Sequence, residues 1–213
     1  MLSETEISRL LEPFGLRLDQ RQLDQIQIYL ELLVRWNDKI NLTSIRDPEE
    51  CVTRHFGESL FLSTYETLAG DLLDIGSGAG FPGLALKIAF QDVRATLLEP
   101  SAKKRAFLKE VCRMCSFPDV EVRPERLKEW IGSGQTYDAI TARAVGKAAH
   151  WVEEAVRILK TSGKIHLWIS HQQSEALRNK NSNLEWTRDV ETPLSRQRVI
   201  LTGRSISRKS IQD

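Results

Sequence analysis

The chain has 213 residues, 41% apolar and 28% charged, with a formal net charge of +1 and a mean hydropathy of −0.32. That length suits one domain plus an appendage with a proper core, and the charge balance excludes a globally basic nucleic-acid binder, so any RNA must be held by local patches. No apolar run reaches membrane-spanning length and no charged-then-apolar leader opens the chain, which predicts a cytoplasmic protein with no membrane partner.

Residues 1–70 read as a helical region packed on a core domain of residues 71–213. Ser3 and Glu6 have capping-box spacing, Ile7, Leu10 and Leu11 form an apolar stripe, and Gly15 suits a helix stop. A longer helix is predicted from about Asp19 to about Ile40. Leu23, Ile26, Leu30 and Leu33 form one stripe on it, and Tyr29, Leu32, Trp36 and Ile40 an adjacent one. So wide an apolar face predicts packing on two sides. Asn41 to Ser44 break the pattern. Asp47-Pro48 start a short helix, and another is predicted from His55 to Leu68, ended by Gly70.

From Asp71 onward strands alternate with helices. The strands are Leu72–Ile75, Val93–Leu98, Val120–Val122, Tyr137–Thr141 and Lys164–Ile169. The helices between them are Phe81–Phe90, Ser101–Cys115, Glu125–Trp130 and Lys147–Leu159. Such alternation predicts an α/β fold: a doubly wound, mostly parallel Rossmann-like sheet. Segments near Leu184–Val190 and Arg198–Gly203 read as a closing antiparallel pair, and Ser207 to Ser210 as a frayed charged tail. Cys112 and Cys115 have C-x-x-C spacing, but without a second Cys or His pair they read as a helix face rather than a metal or redox site.

The chemistry concentrates at Asp71 to Gly83. A short apolar strand runs into a glycine-rich turn and a helix, so backbone can approach a ligand closely. Gly78, Gly80 and Gly83 satisfy G-x-G-x-x-G, a weak dinucleotide signal. Asp74, Gly76, Gly78 and Gly80 satisfy D-x-G-x-G-x-G, the pattern of S-adenosylmethionine methyltransferases. On that reading Asp74 faces the ammonium end of the methionine moiety. In an open α/β sheet, ligands sit at the carboxyl ends of the strands. The second strand ends at Glu99, a candidate acceptor for both ribose hydroxyls. The third leads to Arg126, Leu127 and Lys128, candidates to flank adenine. The fourth ends at Arg143, a candidate to face the cofactor or an anionic substrate. Basic residues near this edge form a candidate RNA footprint: Arg54 and His55, Lys103 and Lys104, Lys147, Arg196 and Arg198.

Over nearly its whole length the sequence resembles the glucose-inhibited division protein B family, the bacterial small-subunit rRNA guanine-N7 methyltransferases. The markers are Trp36-Asn37, Asn41-Leu-Thr-Ser44, Arg54-His55, Ser59, Asp74-Ile-Gly-Ser-Gly-Ala-Gly-Phe-Pro-Gly83, Lys104, Phe107-Leu108 and Arg143-Ala144. The resemblance implies methylation of guanine N7 in a decoding-region loop of 16S rRNA (guanine 527), by a monomer using S-adenosylmethionine and acting on that rRNA or the small ribosomal subunit. It implies that Gly76 and Phe81 contact the cofactor, that Glu99 holds its ribose, that Leu127 and Lys128 flank its adenine and that Arg143 borders the methyl-donor cavity. The chain departs from the family pattern in two places. Gly57-Glu58-Ser59 carries Glu where the family usually has Asp before Ser. Leu167-Trp-Ile-Ser170 replaces Leu-Lys-Gly, which removes a cation and a flexible turn from the expected substrate mouth.

Guanine N7 carries an in-plane lone pair and no proton, so its methylation needs alignment and desolvation rather than a general base. The lack of an obvious catalytic dyad agrees with that chemistry. Two other readings remain open at this stage: a methyltransferase-like protein that binds S-adenosylmethionine or RNA without turnover, and an NAD-type oxidoreductase.

Overall fold

The computed structural model describes residues 2–144, 148–179, 183–187 and 189–206, without the side chains of residues 148–150. Helix α1 (Glu4–Leu11) starts at the expected capping box: the Ser3 amide donates to Glu6 Oε2 at 2.7 Å, and the Glu6 amide donates to Ser3 Oγ at 3.3 Å. Helix α2 (Gln20–Ile40) starts at a second box, formed by Asp19 and Gln22, and ends at Asn41 in the left-handed conformation. Both apolar stripes of α2 are used. Ile26, Tyr29, Leu30, Leu32 and Leu33 are buried, and the helix packs on α1 and on helices α5 (Gly83–Ala89) and α6 (Ala102–Met114) of the following domain. One apolar cluster joins these elements, so the N-terminal helices share a core with one face of the sheet.

Residues 48–64 differ from expectation. Instead of two separate helices they form one run: α3 (Pro48–Cys51), a π-helical stretch (Val52–Gly57), α4 (Glu58–Leu60) and a 3-10 turn (Phe61–Thr64). Asp47 caps its start as predicted. Gly57 lies so close to the Phe14 ring that a Cβ would collide with it. The widened turn therefore sits where the helix is pressed on the N-terminal helices, and it carries Arg54 and His55.

The sheet follows, with strands β1 (Asp71–Ile75), β2 (Arg94–Leu98), β3 (Val120–Arg123), β4 (Tyr137–Arg143), β5 (Leu159–Ser170), β6 (Leu184–Trp186), β7 (Val190–Glu191) and β8 (Arg198–Ser205). The order is β3-β2-β1-β4-β5-β8-β6, and β7 also pairs with β8. Strands β1 to β5 are parallel; β8 runs antiparallel to β5, β6 and β7. The order reverses between β1 and β4, whose ends align through Ile75 and Ala142. Helices α5 and α6 cover one face. Helices α7 (Leu127–Trp130), α8 (Ala148–Val156) and α9 (His171–Arg178) share the opposite cluster with Leu73, Ile75, Ile140 and Ile165.

Two details correct the sequence reading. Leu159 begins β5 rather than ending a helix, and α9 is an additional helix. Its signal was present: Ser170 and Gln173 form a third capping box, with amide-to-side-chain distances of 3.0 and 3.2 Å. Cys112 and Cys115 lie at the end of α6, and burial pushes both thiols up to about 12, as a helix face requires. Among the described residues no helix is long and apolar enough to cross a membrane, and no His/Cys/Asp/Glu group could hold a metal ion. The expected tail at Ser207 to Ser210 lies outside the described residues.

The tightest joint between the two halves is at Gly80, where φ is +89° and a Cβ would run into the Tyr29 hydroxyl. Gly80→Ala should cost roughly 2–4 kcal/mol, from a strained backbone plus overpacking. Denaturant unfolding checks this, and a loss under 0.5 kcal/mol would show that the joint is slack.

Candidate active site

The glycine loop leaves the carboxyl end of β1 beside the point where strand order reverses, the usual ligand crevice of such sheets. Its glycines have different jobs. Gly80 admits Tyr29, whose hydroxyl donates to the Ala79 carbonyl, and a Cβ on Gly83 would lie 2.7 Å from Asp74 Oδ2. Gly78 is different: its φ is +57°, and a Cβ there would point into open space, with only the Gly76 carbonyl within 4 Å. The loop therefore presents bare backbone to the crevice at Gly78, the feature a closely approaching ligand needs. The Gly78 amide donates to Glu99 Oε2 at 2.9 Å, and the Ser101 amide donates to Oε1 at 2.7 Å. Glu99, itself 7% exposed, is thus held just past the end of β2 against the loop backbone. This setting fits S-adenosylmethionine: a cradle of bare backbone at Gly78 beside a carboxylate that retains lone pairs for ribose hydroxyls.

Asp74 lies beneath the loop, against Gly83. It is completely buried, with Oδ1 accepting from the Thr141 hydroxyl at 2.8 Å and Oδ2 without a partner among the described residues. Burial pushes its carboxyl up to about 6, against the hydrogen bond from Thr141. With no exposed surface it braces the turn from beneath. Phe81 is also nearly buried. Its ring stacks on Tyr29 (centroids 5.1 Å apart, planes 7° apart) and on His55 (4.8 Å, 17°), so it offers a ligand its place in the loop rather than its ring face. Leu127 packs into the core under α7, while Lys128 stands exposed.

The residues expected to meet RNA divide in the same way. Lys103 and Arg196 are exposed and Lys104 is half-buried. Lys147 lies outside the described residues. His55 is not a surface cation. It is 9% exposed, its Nε2 lies 2.9 Å from the Thr43 hydroxyl, and burial plus nearby Arg143 and Arg54 push its pKa down to about 3. Burial against Phe81 sets His55 apart from the exposed basic residues with which it was grouped. The Asn37 side chain in turn bonds the Thr43 amide (2.9 Å) and the Ile45 carbonyl (3.2 Å). Asn37, Thr43, His55 and Phe81 therefore form one chain of contacts reaching the glycine loop, a role invisible in their sequence spacing.

Arg143 is likewise committed internally. It donates to the Arg54 carbonyl at 2.7 Å and to Ser59 Oγ at 3.5 Å, and it pairs with Glu58 at 3.1 Å. Glu58 is 1% exposed and also binds Arg54 and Arg198. Burial pushes its carboxyl up, while Arg143 and Arg54 pull it down. The Trp168 indole donates to the Glu58 carbonyl at 2.7 Å. The two departures from the family pattern thus touch each other and form one structural unit. Neither Glu58 nor Trp168 was singled out as a functional residue from the sequence.

A parallel sheet with an antiparallel β8, a reversal between β1 and β4, and a glycine loop facing a carboxylate at the end of β2 define a Rossmann-like S-adenosylmethionine-dependent methyltransferase. Solved methyltransferases share the fold. A precorrin-6y C5,15-methyltransferase from Geobacter metallireducens matches with a TM-score of 0.58 at 14% identity, over 69% of this chain and 87% of that one. The tRNA m1G37 methyltransferase of M. jannaschii matches with a TM-score of 0.56 at 13% identity, over 71% of this chain and 49% of that one. Residues 22–198 match the family model GidB, rRNA small subunit methyltransferase G. Proteins named ribosomal RNA small subunit methyltransferase G are 41% identical in Chloroflexus aggregans, over 71% of this chain and 66% of that protein, and 42% identical in Roseiflexus castenholzii, over 75% and 70%. The chain belongs to the rRNA small subunit methyltransferase G family.

Two predictions follow from the cradle and its support. Gly78→Val should abolish S-adenosylmethionine binding by filling the open face, and Glu99→Ala should weaken it by about 1–3 kcal/mol. Calorimetry with wild-type affinity in both variants would reject the assignment. His55 supplies the second. Its pKa lies well below the ordinary 6.5, so between about pH 6.5 and 3 the unfolded chain binds a proton that the native chain refuses. Wild-type stability should fall relative to His55→Gln by about 1.4 kcal/mol per pH unit on acidification through that window. Parallel stability curves for the two proteins would mean His55 is not held neutral.

Proposed function

We infer that the protein transfers the methyl group of S-adenosylmethionine to guanine N7 of small-subunit rRNA, in the decoding-region loop named by the family resemblance, and that it does so as a cytoplasmic monomer. The observation that carries this reading is the family match across residues 22–198, which spans α2, the π-helical stretch and the glycine loop together. Family membership also removes the NAD-type oxidoreductase reading.

When bound, S-adenosylmethionine supplies an electrophilic methyl group. The chain's own residues bind, orient and exclude water. Gly78 gives the backbone approach, and Glu99 stands where ribose hydroxyls would donate. The buried Tyr29–Phe81–His55 stack holds the loop rigid behind them. A rigid loop matters because methyl transfer depends on alignment of the accepting nitrogen, the methyl carbon and the sulfur. His55, held neutral, is not poised as a general acid, and the N7 lone pair needs no base.

Trp168-Ile-Ser170 was the sequence ground for a protein without turnover. Trp168 and Ile169 are buried, and Ser170 caps α9. The departure is absorbed by packing.

Single-turnover methyl transfer should be nearly flat from about pH 6.5 to 8.5, without the bell of a paired acid and base. Nuclease digestion and mass spectrometry should find N7-methylguanine in small-subunit rRNA. Label on a base carbon, an exocyclic amine or a ribose oxygen would reject the N7 assignment.

A further inference from the structure

The cluster around Glu58 is more than an internal ion pair. Glu58 Oε1 accepts from Arg54 Nε at 3.1 Å and from Arg198 Nη1 at 2.8 Å; Oε2 accepts from Arg198 Nη1 at 2.9 Å and pairs with Arg143 Nη2 at 3.1 Å. Arg54 Nη1 also donates to Glu50 at 3.3 Å. Three guanidiniums thus face two carboxylates, and one positive charge is left over. Their exposures differ: the Arg143 side chain is 13% exposed, while Arg54 and Arg198 are 33% and 34% exposed. Among the described residues Arg54 Nη2 and Arg198 Nε and Nη2 have no partner. Two half-exposed guanidiniums therefore share one carboxylate oxygen and keep spare N–H donors.

Position adds the second argument. Arg143 ends β4, and Arg198 pairs with Ser170 at the end of β5. The cluster therefore lies on the β4–β5 side of the reversal point, while the glycine loop and Glu99 lie on the β1–β2 side. An anionic chain bound here would lie across the crevice from the cofactor cradle. Arg198 keeps a free Nε/Nη2 edge that matches the paired oxygens of a phosphodiester, and Arg54 keeps one free nitrogen beside it.

We propose that Glu58 is a positioning residue that holds Arg54 and Arg198 as a two-arginine fork for a single backbone phosphate of the substrate RNA. Arg143 braces the fork from below through the Arg54 carbonyl, and Trp168 fixes the Glu58 main chain. Without the carboxylate the guanidiniums repel one another and the fork opens. The proposal rests on the rRNA reading above.

The test uses small ribosomal subunits from a strain lacking the gene, with KM, kcat, the salt dependence of subunit binding and S-adenosylmethionine affinity measured for each variant. Arg54→Gln and Arg198→Gln should each raise KM about tenfold or more and flatten the log–log salt slope by roughly 0.7–0.9. Because they share one phosphate, the double variant should lose no more slope than about one contact. Glu58→Gln is the decisive variant, because it makes the cluster more positive. A plain electrostatic patch would then bind subunits more tightly with a steeper slope. A positioned fork predicts the reverse: higher KM and a flatter slope, with cofactor affinity unchanged. If Glu58→Gln does not fold, Arg198→Lys carries the test: it keeps the charge but not the fork, so KM should rise severalfold at an unchanged slope.

Tighter or wild-type binding by Glu58→Gln overturns the proposal. So does a wild-type KM in Arg198→Lys, a double variant that loses two contacts, or a variant that weakens the cofactor instead of the subunit. If the wild-type protein methylates no subunit or rRNA, the functional reading itself fails; if it does and the variants match it, only the fork fails.

Discussion

The structure turns on one contact: Tyr29 of α2 laid against the glycine loop. Its ring stacks on Phe81, its hydroxyl reaches the Ala79 carbonyl, and the absence of a Cβ at Gly80 gives it room. Burial makes the Tyr29 phenol far harder to ionise than usual, so it stays a neutral donor. The contact ties the N-terminal helices to the part of the sheet that must be rigid. A loop with three glycines at positive φ would otherwise retain much backbone freedom, and ordering it only on ligand binding would cost affinity. Packing it on an aromatic stack places that ordering in the folding step.

Electrostatics follow the same economy. A net charge of +1 leaves no general attraction for RNA, so cationic surface has to be local. The fold gathers arginines from three distant segments, at positions 54, 143 and 198, around one buried glutamate. Such an array needs the carboxylate: like charges a few ångströms apart in a half-buried setting repel strongly unless a counter-charge lies between them. The substitutions Glu58 and Trp168 make sense together for this reason. The indole removes a cation from the β5 end, and the Glu58 carbonyl takes its N–H.

The fold class, the strand segments up to β5, the capping of α1 and of the helix at Pro48, and the glycine loop after β1 were legible in the sequence. They rest on short-range rules: hydrophobic period, cap chemistry, and glycines at a strand–helix junction. The joining of two helices into residues 48–64 was not legible, because it depends on how Gly57 meets Phe14, 43 positions earlier in the chain. Helix α9 carries its start signal in the capping box of Ser170 and Gln173, a short-range rule of the same kind.

For individual side chains the division is sharper. Sequence alone determined that a glycine loop would end β1 and that acidic and basic residues would gather at the strand ends, because these follow from local pattern and from parallel topology. Only the tertiary structure decided which of them face the crevice. Asp74 and Phe81 belong to the loop motif yet point inward, His55 is in the Arg-His pair yet lies neutral under an aromatic stack, and Gly78 alone of the glycines with a located Cβ direction in the loop opens outward. Several deciding partners stand far away in the chain, from 21 positions for Gly78 and Glu99 to 140 for Glu58 and Arg198, beyond any local window of sequence.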